Sequence, residues 1–276
     1  MVPFTCKYTW RTHTPFIFYT ASHFYEKQYL MLKKYFEHKQ AIFFDLDGTI
    51  YDSDIFWTYA YEKVLKTIDA SWVVYERNGR SVFDVWKDII VENGLKTQLS
   101  IKDLVKFTNI EFLKTLDGSD AESLDGFWNF FQKVKNEKKM KTALVTNTAR
   151  DVTNVVMKKL EIEGIFDLTK CGDEVAKVKP DPQIYLTTAN ELKVNPKNVL
   201  VFEDSISGVV SARKAKMDVF VVWDGVVNKE DYPRGVKMFI SDFTHLAENM
   251  DKTMDDQLAE AAETLTSTIS DGTSVK

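Results

Sequence analysis

Short apolar runs alternate with longer amphipathic stretches from residue 41 onward. The runs are rich in Val, Ile, Phe and Leu, and their length suits strands of a parallel sheet that is buried on both faces. Strands that alternate with helices predict an α/β fold with a parallel sheet. The predicted strands are Ala41–Asp45, Thr142–Thr146, Val199–Glu203 and Val219–Val222, with Lys237–Ile240 as a further candidate.

Two of the intervening stretches have clear helical spacing. Val152, Val156 and Leu160 recur every four residues and would share one helix face. A second helix is predicted after the strand that ends at Glu203, and Ser205 is well placed as its N-cap.

Residues 55–121 interrupt this alternation. They are mostly helical in pattern, contain no convincing buried strand, and have turn signals at Gly79 and Gly94. We expect a helical cap inserted after the first strand, beside the sheet edge at which open α/β folds bind ligands. Most of its aromatic residues are predicted to be core, and the polar candidates to face the cleft are Arg77, Asn78, Arg80 and Lys87.

The predicted domain boundaries follow these shifts of pattern. Residues 41–51 and 122–246 form the core domain, 52–121 the cap, and 247–276 an acidic helix that ends in a disordered Ser/Thr-rich tail. Residues 1–40 contain no acid before Glu26, and two interpretations stay open: an organelle presequence or a loosely ordered extension. Whether residues 1–30 belong to the mature protein is left open, because Met31 would also make a compact start.

Composition narrows the class of protein. The chain has 276 residues, of which 44% are hydrophobic, so it is long enough to bury a substantial core. Its formal net charge of −5 offers no basic surplus for nucleic acid. Cys6 and Cys171 match no metal spacing or disulfide framework, which favours a reduced, cytoplasmic compartment. The apolar runs are shorter than the roughly 18 residues of a membrane span, so we expect no membrane partner. We also expect a monomer or a small homo-oligomer.

Candidate chemistry begins with an acidic pair, Asp45 and Asp47, at the carboxyl end of the first predicted strand. The pattern is weak by itself, because Asp52 and Asp54 repeat it without a preceding strand, and we interpret those two as loop acids. A buried strand that runs into two carboxylates nevertheless requires compensation by positive charge.

Three further features supply a chemical context for this pair. Thr146 and Asn147 lie at the end of the second predicted strand, and Glu203 and Asp204 at the end of the third. Lys179 precedes a proline in the segment VAKVKPDP. The carboxyl ends of parallel strands meet at one edge, so these residues are expected to converge. Carboxylates together with a lysine suit a hard cation and a phosphoryl group, and Mg²⁺ needs only one or two carboxylates besides phosphate and water.

These motifs, in this order, resemble those of the haloacid dehalogenase superfamily, over about residues 41 to 246. The local forms KPDP and FEDS-x-x-G are similar to the branch that contains beta-phosphoglucomutase and small-sugar phosphatases. The resemblance implies a Rossmann-like three-layer core with a parallel sheet and a helical cap. The matching motifs are Asp45-Leu46-Asp47-Gly48-Thr49, Thr146-Asn147, Lys179 and Glu203-Asp204.

The resemblance also implies a role for each site residue. Asp45 would be the nucleophile that forms an aspartyl-phosphate, and Asp47 the general acid and then the general base. Mg²⁺ would be bound by the Asp45 carboxylate, the Asp47 carbonyl and Asp204, with Glu203 helping directly or through water. Thr146, Asn147 and Lys179 would hold the phosphoryl oxygens.

The expected activity is hydrolysis of a small phosphorylated metabolite, of the sugar phosphate or phosphoglycolate type. Asp47 argues against a dehalogenase, and Thr49 is common in the phosphatases. A phosphosugar mutase is less favoured, because the mutase pattern has a histidine ten residues after the second aspartate and this chain has Trp57. Some sugar phosphatases share that histidine, so the substrate stays open.

Two alternatives belong to other classes of protein. A non-catalytic phospho-ligand binding protein on the same scaffold stays open, because a fold does not prove activity. A phospho-receiver domain is disfavoured, because it has no large helical insert and its phosphorylated aspartate follows a later strand.

Overall fold

The computed structural model describes residues 32–70, 79–92 and 94–251. The predictions for residues 1–31 and 252–276, and for Arg77 and Asn78, fall outside the described residues. The strands and the candidate site lie in one compact unit, residues 37–247. A second unit includes helix α1, Leu32–Phe36. No described helix is both long enough and apolar enough to span a membrane.

A six-stranded parallel sheet forms the centre of this unit, in the order β3-β2-β1-β4-β5-β6. The α/β prediction is therefore confirmed. The strands are β1 (Ala41–Phe44), β2 (Lys141–Val145), β3 (Leu168–Lys170), β4 (Val199–Glu203), β5 (Asp218–Val222) and β6 (Met238–Ile240).

Successive residues of the central strands pack on opposite faces of the sheet, and both faces are covered. On one face Phe43 and Val201 pack in a cluster with Ile184 and Val209 from two helices. On the other face Phe44 stacks on Phe202, with ring centroids 5.4 Å apart. Burial on both faces explains why these strands read as continuous apolar runs.

The helices that follow the insert flank this sheet. They are α5 (Phe127–Gln132, continued by a π-helical turn at Lys133–Glu137), α6 (Arg150–Lys159), α7 (Gln183–Glu191) and α8 (Ile206–Lys214). A short helix, α9 (Leu246–Asn249), follows them in the chain. Ser205 caps α8 as predicted, since its Oγ accepts from the Gly208 amide at 3.1 Å.

The insert is helical, as expected. Its described helices are α2 (Asp54–Thr67), α3 (Val82–Glu92) and α4 (Ile101–Asp117). They pack through their own apolar cluster, which includes Tyr61, Trp86 and Leu104. The Trp86 indole donates to Thr108 Oγ1 at 2.8 Å, which satisfies the polar atom of this buried ring.

Strand β3 was not predicted. It has only three residues, Leu168–Lys170, and all are half-buried at the edge of the sheet. A strand this short contains no apolar run, so its pairing with β2 is what defines it. The predicted ends of β1 and β2 were each one residue too long, because Asp45 and Thr146 already leave their strands.

Candidate active site

Three carboxylates gather at the carboxyl edge of the sheet. Asp45 directly follows β1, and Glu203 and Asp204 lie at the end of the neighbouring strand β4. One oxygen of each lies within 4.8 Å of the others. Asp45 and Glu203 are buried, so their charges need compensation from the protein or from a cation.

Lys179 supplies part of that compensation. Its fully buried ammonium lies 2.5 Å from Asp45 Oδ1 and 2.6 Å from Glu203 Oε1, and it also donates to the Val145 carbonyl at 2.8 Å. Burial alone would lower the pKa of Lys179, but Asp45 and Glu203 outweigh it and raise the pKa above its usual value. The lysine is therefore a permanent cation that joins two strand ends.

Glu203 holds this lysine in place. Its Oε1 accepts from Lys179 and from the Tyr185 hydroxyl at 2.9 Å, while Oε2 accepts from the Ser205 amide at 3.2 Å and the Ser205 hydroxyl at 2.9 Å. Burial, followed by the charge of Glu203, raises the pKa of Tyr185 well above its usual value, so Tyr185 remains a donor. Both oxygens of Glu203 are thus engaged by protein groups.

Asp204 differs from Glu203 in having an unused ligand atom. Its Oδ1 is buried and has no hydrogen-bond partner among the described residues. Burial, followed by Glu203 and Asp45, raises the pKa of Asp204 well above its usual value, and burial raises that of Asp45 to about 8. The single positive charge of Lys179 thus does not balance the negative charge that Asp45, Glu203 and Asp204 would carry together.

A hard divalent cation fits this arrangement. The donors are carboxylate oxygens, which Mg²⁺ prefers, and one of the three residues, Asp204, also has an orphaned buried Oδ1. Gly48 allows the backbone to approach Asp204 closely, because it has φ +73° and a Cβ there would overlap the Asp204 carboxylate.

Asp47 lies in a different environment, on the cleft. Its Oδ1 accepts from the Tyr51 hydroxyl at 3.0 Å and from the Trp57 indole Nε1 at 2.9 Å. Its Oδ2 accepts from the Thr148 hydroxyl at 2.7 Å. Burial, followed by the charge of Asp47, raises the pKa of Tyr51 well above its usual value, so Tyr51 stays protonated.

Thr146 and Asn147 both lie at the predicted sheet edge, but their side chains are used differently. Thr146 is buried, and its Oγ1 accepts from the Thr148 amide at 3.0 Å. Asn147 Nδ2 donates to the carbonyls of Gly79 at 2.8 Å and Lys179 at 3.2 Å, and its Oδ1 accepts from the Lys179 amide at 3.0 Å. The Asn147 side chain therefore joins the cap loop to the loop that carries Lys179.

A cleft of about 440 Å³ lies between cap and core. Arg80 lines it, as predicted for a cap residue, and forms an ion pair with Asp88 at 2.5 Å. Lys87 is exposed on α3 and is not part of the described lining. Asp52 and Asp54, interpreted above as loop acids, also line the cleft.

Sequence reasoning missed several partners of the predicted residues. Tyr51, Trp57 and Thr148 bind Asp47, and Tyr185 binds Glu203. Only Trp57 carried a signal, as a departure from the mutase pattern. The other three are ordinary residue types in positions that no spacing rule selects.

Comparisons with known proteins give a consistent result. A family model described as haloacid dehalogenase-like hydrolase matches residues 42–222. A phosphorylated carbohydrates phosphatase of Thermotoga maritima is 30% identical over 188 residues, which cover 65% of this chain and 82% of that protein. A 6-phosphogluconate phosphatase of Escherichia coli is 25% identical over 215 residues, covering 76% and 92%.

Solved structures share the fold. The crystal structure of CbbY from Rhodobacter sphaeroides in complex with phosphate aligns with a TM-score of 0.68 and 21% identity. The alignment covers 78% of this chain and all of that one. At this identity the likeness concerns the fold alone, and it agrees with the predicted Rossmann-like core.

Proposed function

Because this chain belongs to the haloacid dehalogenase-like hydrolase family, we propose that it is a Mg²⁺-dependent phosphatase of small phosphorylated metabolites. The observation that carries the proposal is the buried Lys179–Asp45 pair next to Asp204, a carboxylate of the same acidic cluster that has an unpartnered Oδ1. Together these three residues bring a nucleophile, a fixed cation and a carboxylate with an unpartnered oxygen to one edge of the sheet.

The proposed reaction has two steps. A carboxylate oxygen of Asp45 attacks phosphorus, the bond from phosphorus to the ester oxygen breaks, and Asp47 gives its proton to the leaving alcohol. A water molecule then loses a proton to Asp47 and attacks phosphorus, which breaks the bond to Asp45 and releases phosphate. Covalent catalysis of this kind divides one difficult displacement into two easier ones.

Each remaining residue has a supporting role. Lys179 holds Asp45 through Oδ1 and places positive charge beneath the phosphoryl group, and Glu203 holds Lys179. Thr146 and the backbone amide of Asn147 are proposed to bind phosphoryl oxygens. Mg²⁺, held by Asp45, Asp204 and the Asp47 carbonyl, would supply charge stabilisation to those oxygens.

The cap is proposed to comprise residues 52–121 and to close over the substrate, which would exclude bulk water during the reaction. The Gly79 carbonyl supports this role, since it accepts from Asn147 Nδ2 at 2.8 Å and from Ser207 Oγ at 2.5 Å in the core. The names of the relatives favour a sugar phosphate as substrate.

A panel of sugar phosphates, phosphoglycolate and p-nitrophenyl phosphate tests the proposal. We expect phosphate release that depends on Mg²⁺, is abolished in Asp45→Asn, and changes less than about threefold in Asp52→Asn, a matched change in a cleft acid outside the proposed machinery. A wild-type protein that binds the panel without turnover would instead be a binding protein. Isomerisation on addition of a sugar bisphosphate would identify a mutase.

A further inference from the structure

Trp57 links the cap to the proposed acid–base residue. It lies on α2, its indole Nε1 donates to Asp47 Oδ1 at 2.9 Å, and its ring stacks on Phe112 of α4 with centroids 3.7 Å apart. The stacking fixes the plane of the indole, so the direction of its N–H bond is determined by the cap core. A cap helix therefore holds a carboxylate that belongs to the core.

The two oxygens of Asp47 have different partners. Oδ1 accepts from Trp57 and from the Tyr51 hydroxyl, whereas Oδ2 accepts only from the Thr148 hydroxyl among the described residues. An indole N–H is a donor that never accepts, while a threonine hydroxyl both donates and accepts. A proton on Oδ1 would meet the Trp57 N–H, but a proton on Oδ2 is compatible with a rotated Thr148 hydroxyl.

We infer that Trp57 is a positioning residue that, together with Tyr51, keeps Asp47 Oδ1 as a pure acceptor and assigns proton exchange with the substrate to Oδ2. This inference rests on the proposed phosphatase function. In the first step the proton leaves Oδ2 for the oxygen of the departing alcohol. In the second step Oδ2 takes a proton from the attacking water, so Asp47 returns to its starting state.

Leaving groups of different basicity separate this role from simple packing. An alkyl phosphate releases a poor leaving group that needs a proton, whereas p-nitrophenyl phosphate releases a good one that does not. The parameter kcat/KM reports only steps up to the first irreversible one, so it isolates transfer to Asp45 from the later hydrolysis.

The test compares Trp57→Phe with Trp86→Phe. Phenylalanine keeps an aromatic ring against Phe112 but deletes the N–H. Trp86 offers a matched control, since its Nε1 donates to Thr108 inside the cap. For Trp57→Phe we expect kcat/KM to fall about 10- to 100-fold for an alkyl phosphate, part of the usual contribution of general acid catalysis. For p-nitrophenyl phosphate we expect a change of less than about threefold. Trp86→Phe should affect both substrates equally.

Tyr51→Phe provides a second variant in case Trp57→Phe folds poorly, and the same selective loss is expected. Equal losses for both leaving groups in the Trp57 and Tyr51 variants, or no loss, would overturn the inference while the phosphatase function stands. A wild-type protein without turnover of either substrate would overturn both.

Discussion

Replacing Lys179 with methionine removes the ammonium between Asp45 and Glu203 while keeping most of the apolar length of the side chain. Both carboxylates are buried, and Lys179 lies 2.5 Å and 2.6 Å from them. Asp45 can take up a proton, because burial raises its pKa to about 8, but Glu203 would keep only neutral donors from Tyr185 and Ser205. An uncompensated buried charge typically costs about 3–5 kcal/mol. We expect the free energy of unfolding of the metal-free protein to fall by about this amount.

The same change should also impair catalysis. Loss of one preorganised electrostatic group typically reduces kcat by about 10²- to 10³-fold. Without Lys179, Asp45 also loses the hydrogen bond to Oδ1 that orients it. Equilibrium unfolding in urea, followed by circular dichroism, measures the first effect. Hydrolysis of p-nitrophenyl phosphate at saturating Mg²⁺ measures the second.

Lys39 offers a matched control at the opposite edge of the sheet. Its side chain is only 6% exposed, and Nζ lies 2.7 Å from Asp218 Oδ2 and 3.3 Å from the carbonyl of Val199, where β4 begins. Asp218 is 28% exposed and keeps Lys237 at 3.5 Å, so Lys39→Met should cost only about 1 kcal/mol. Its kcat/KM should match the wild type.

Two results would refute this reasoning. If Lys179→Met and Lys39→Met lose equal stability, the buried carboxylates do not depend on Lys179. If Lys179→Met hydrolyses p-nitrophenyl phosphate within threefold of the wild type, the lysine is not part of the catalytic electrostatics.

Three further predictions concern the metal site, its protonation and the loop contacts. Gly48→Ala should abolish activation by Mg²⁺, because the new Cβ would overlap the Asp204 carboxylate. The control Gly164→Ala has a similar φ of +71° but open space around it, so it should lose stability only. Equal curves of activity against Mg²⁺ concentration for the two variants would contradict this prediction. In EDTA the free energy of unfolding should decrease as pH rises, because folding raises the pKa of Asp45 to about 8. This stabilisation is complete below the unfolded pKa of about 3.9 and is lost as pH rises through about 8; urea midpoints that stay flat would refute it. Asn147→Asp should cost about 1–3 kcal/mol, since Nδ2 donates to two carbonyls that a carboxylate would repel. Asn195→Asp is the control, because an aspartate there still accepts from the Lys197 amide, and we expect little loss of stability. Equal urea midpoints for Asn147→Asp and Asn195→Asp would count against the argument.

Local chemistry was sufficient to predict the central strands of the sheet and the loops that carry the site. Apolar runs identified β1, β2, β4 and β5 to within a residue, because strands buried on both faces need continuous apolar sequence. The rule that parallel strands end at a common edge then placed Asp45 near Asp204, and one carboxylate oxygen of each lies within 4.8 Å of the other. The family resemblance was confirmed, while the domain boundaries and the roles of the site residues remain predictions.

The tertiary structure decided which side chains meet. Thr148 lies 101 positions from Asp47 in the chain, and Lys179 lies 134 from Asp45, yet both pairs are hydrogen-bonded. Such contacts depend on how the cap and loops pack against the sheet, and no periodicity in the sequence records that packing. The edge strand β3 and the donors to Asp47 became visible only through it. The sequence alone thus determined where charge accumulates, and packing determined which groups share it.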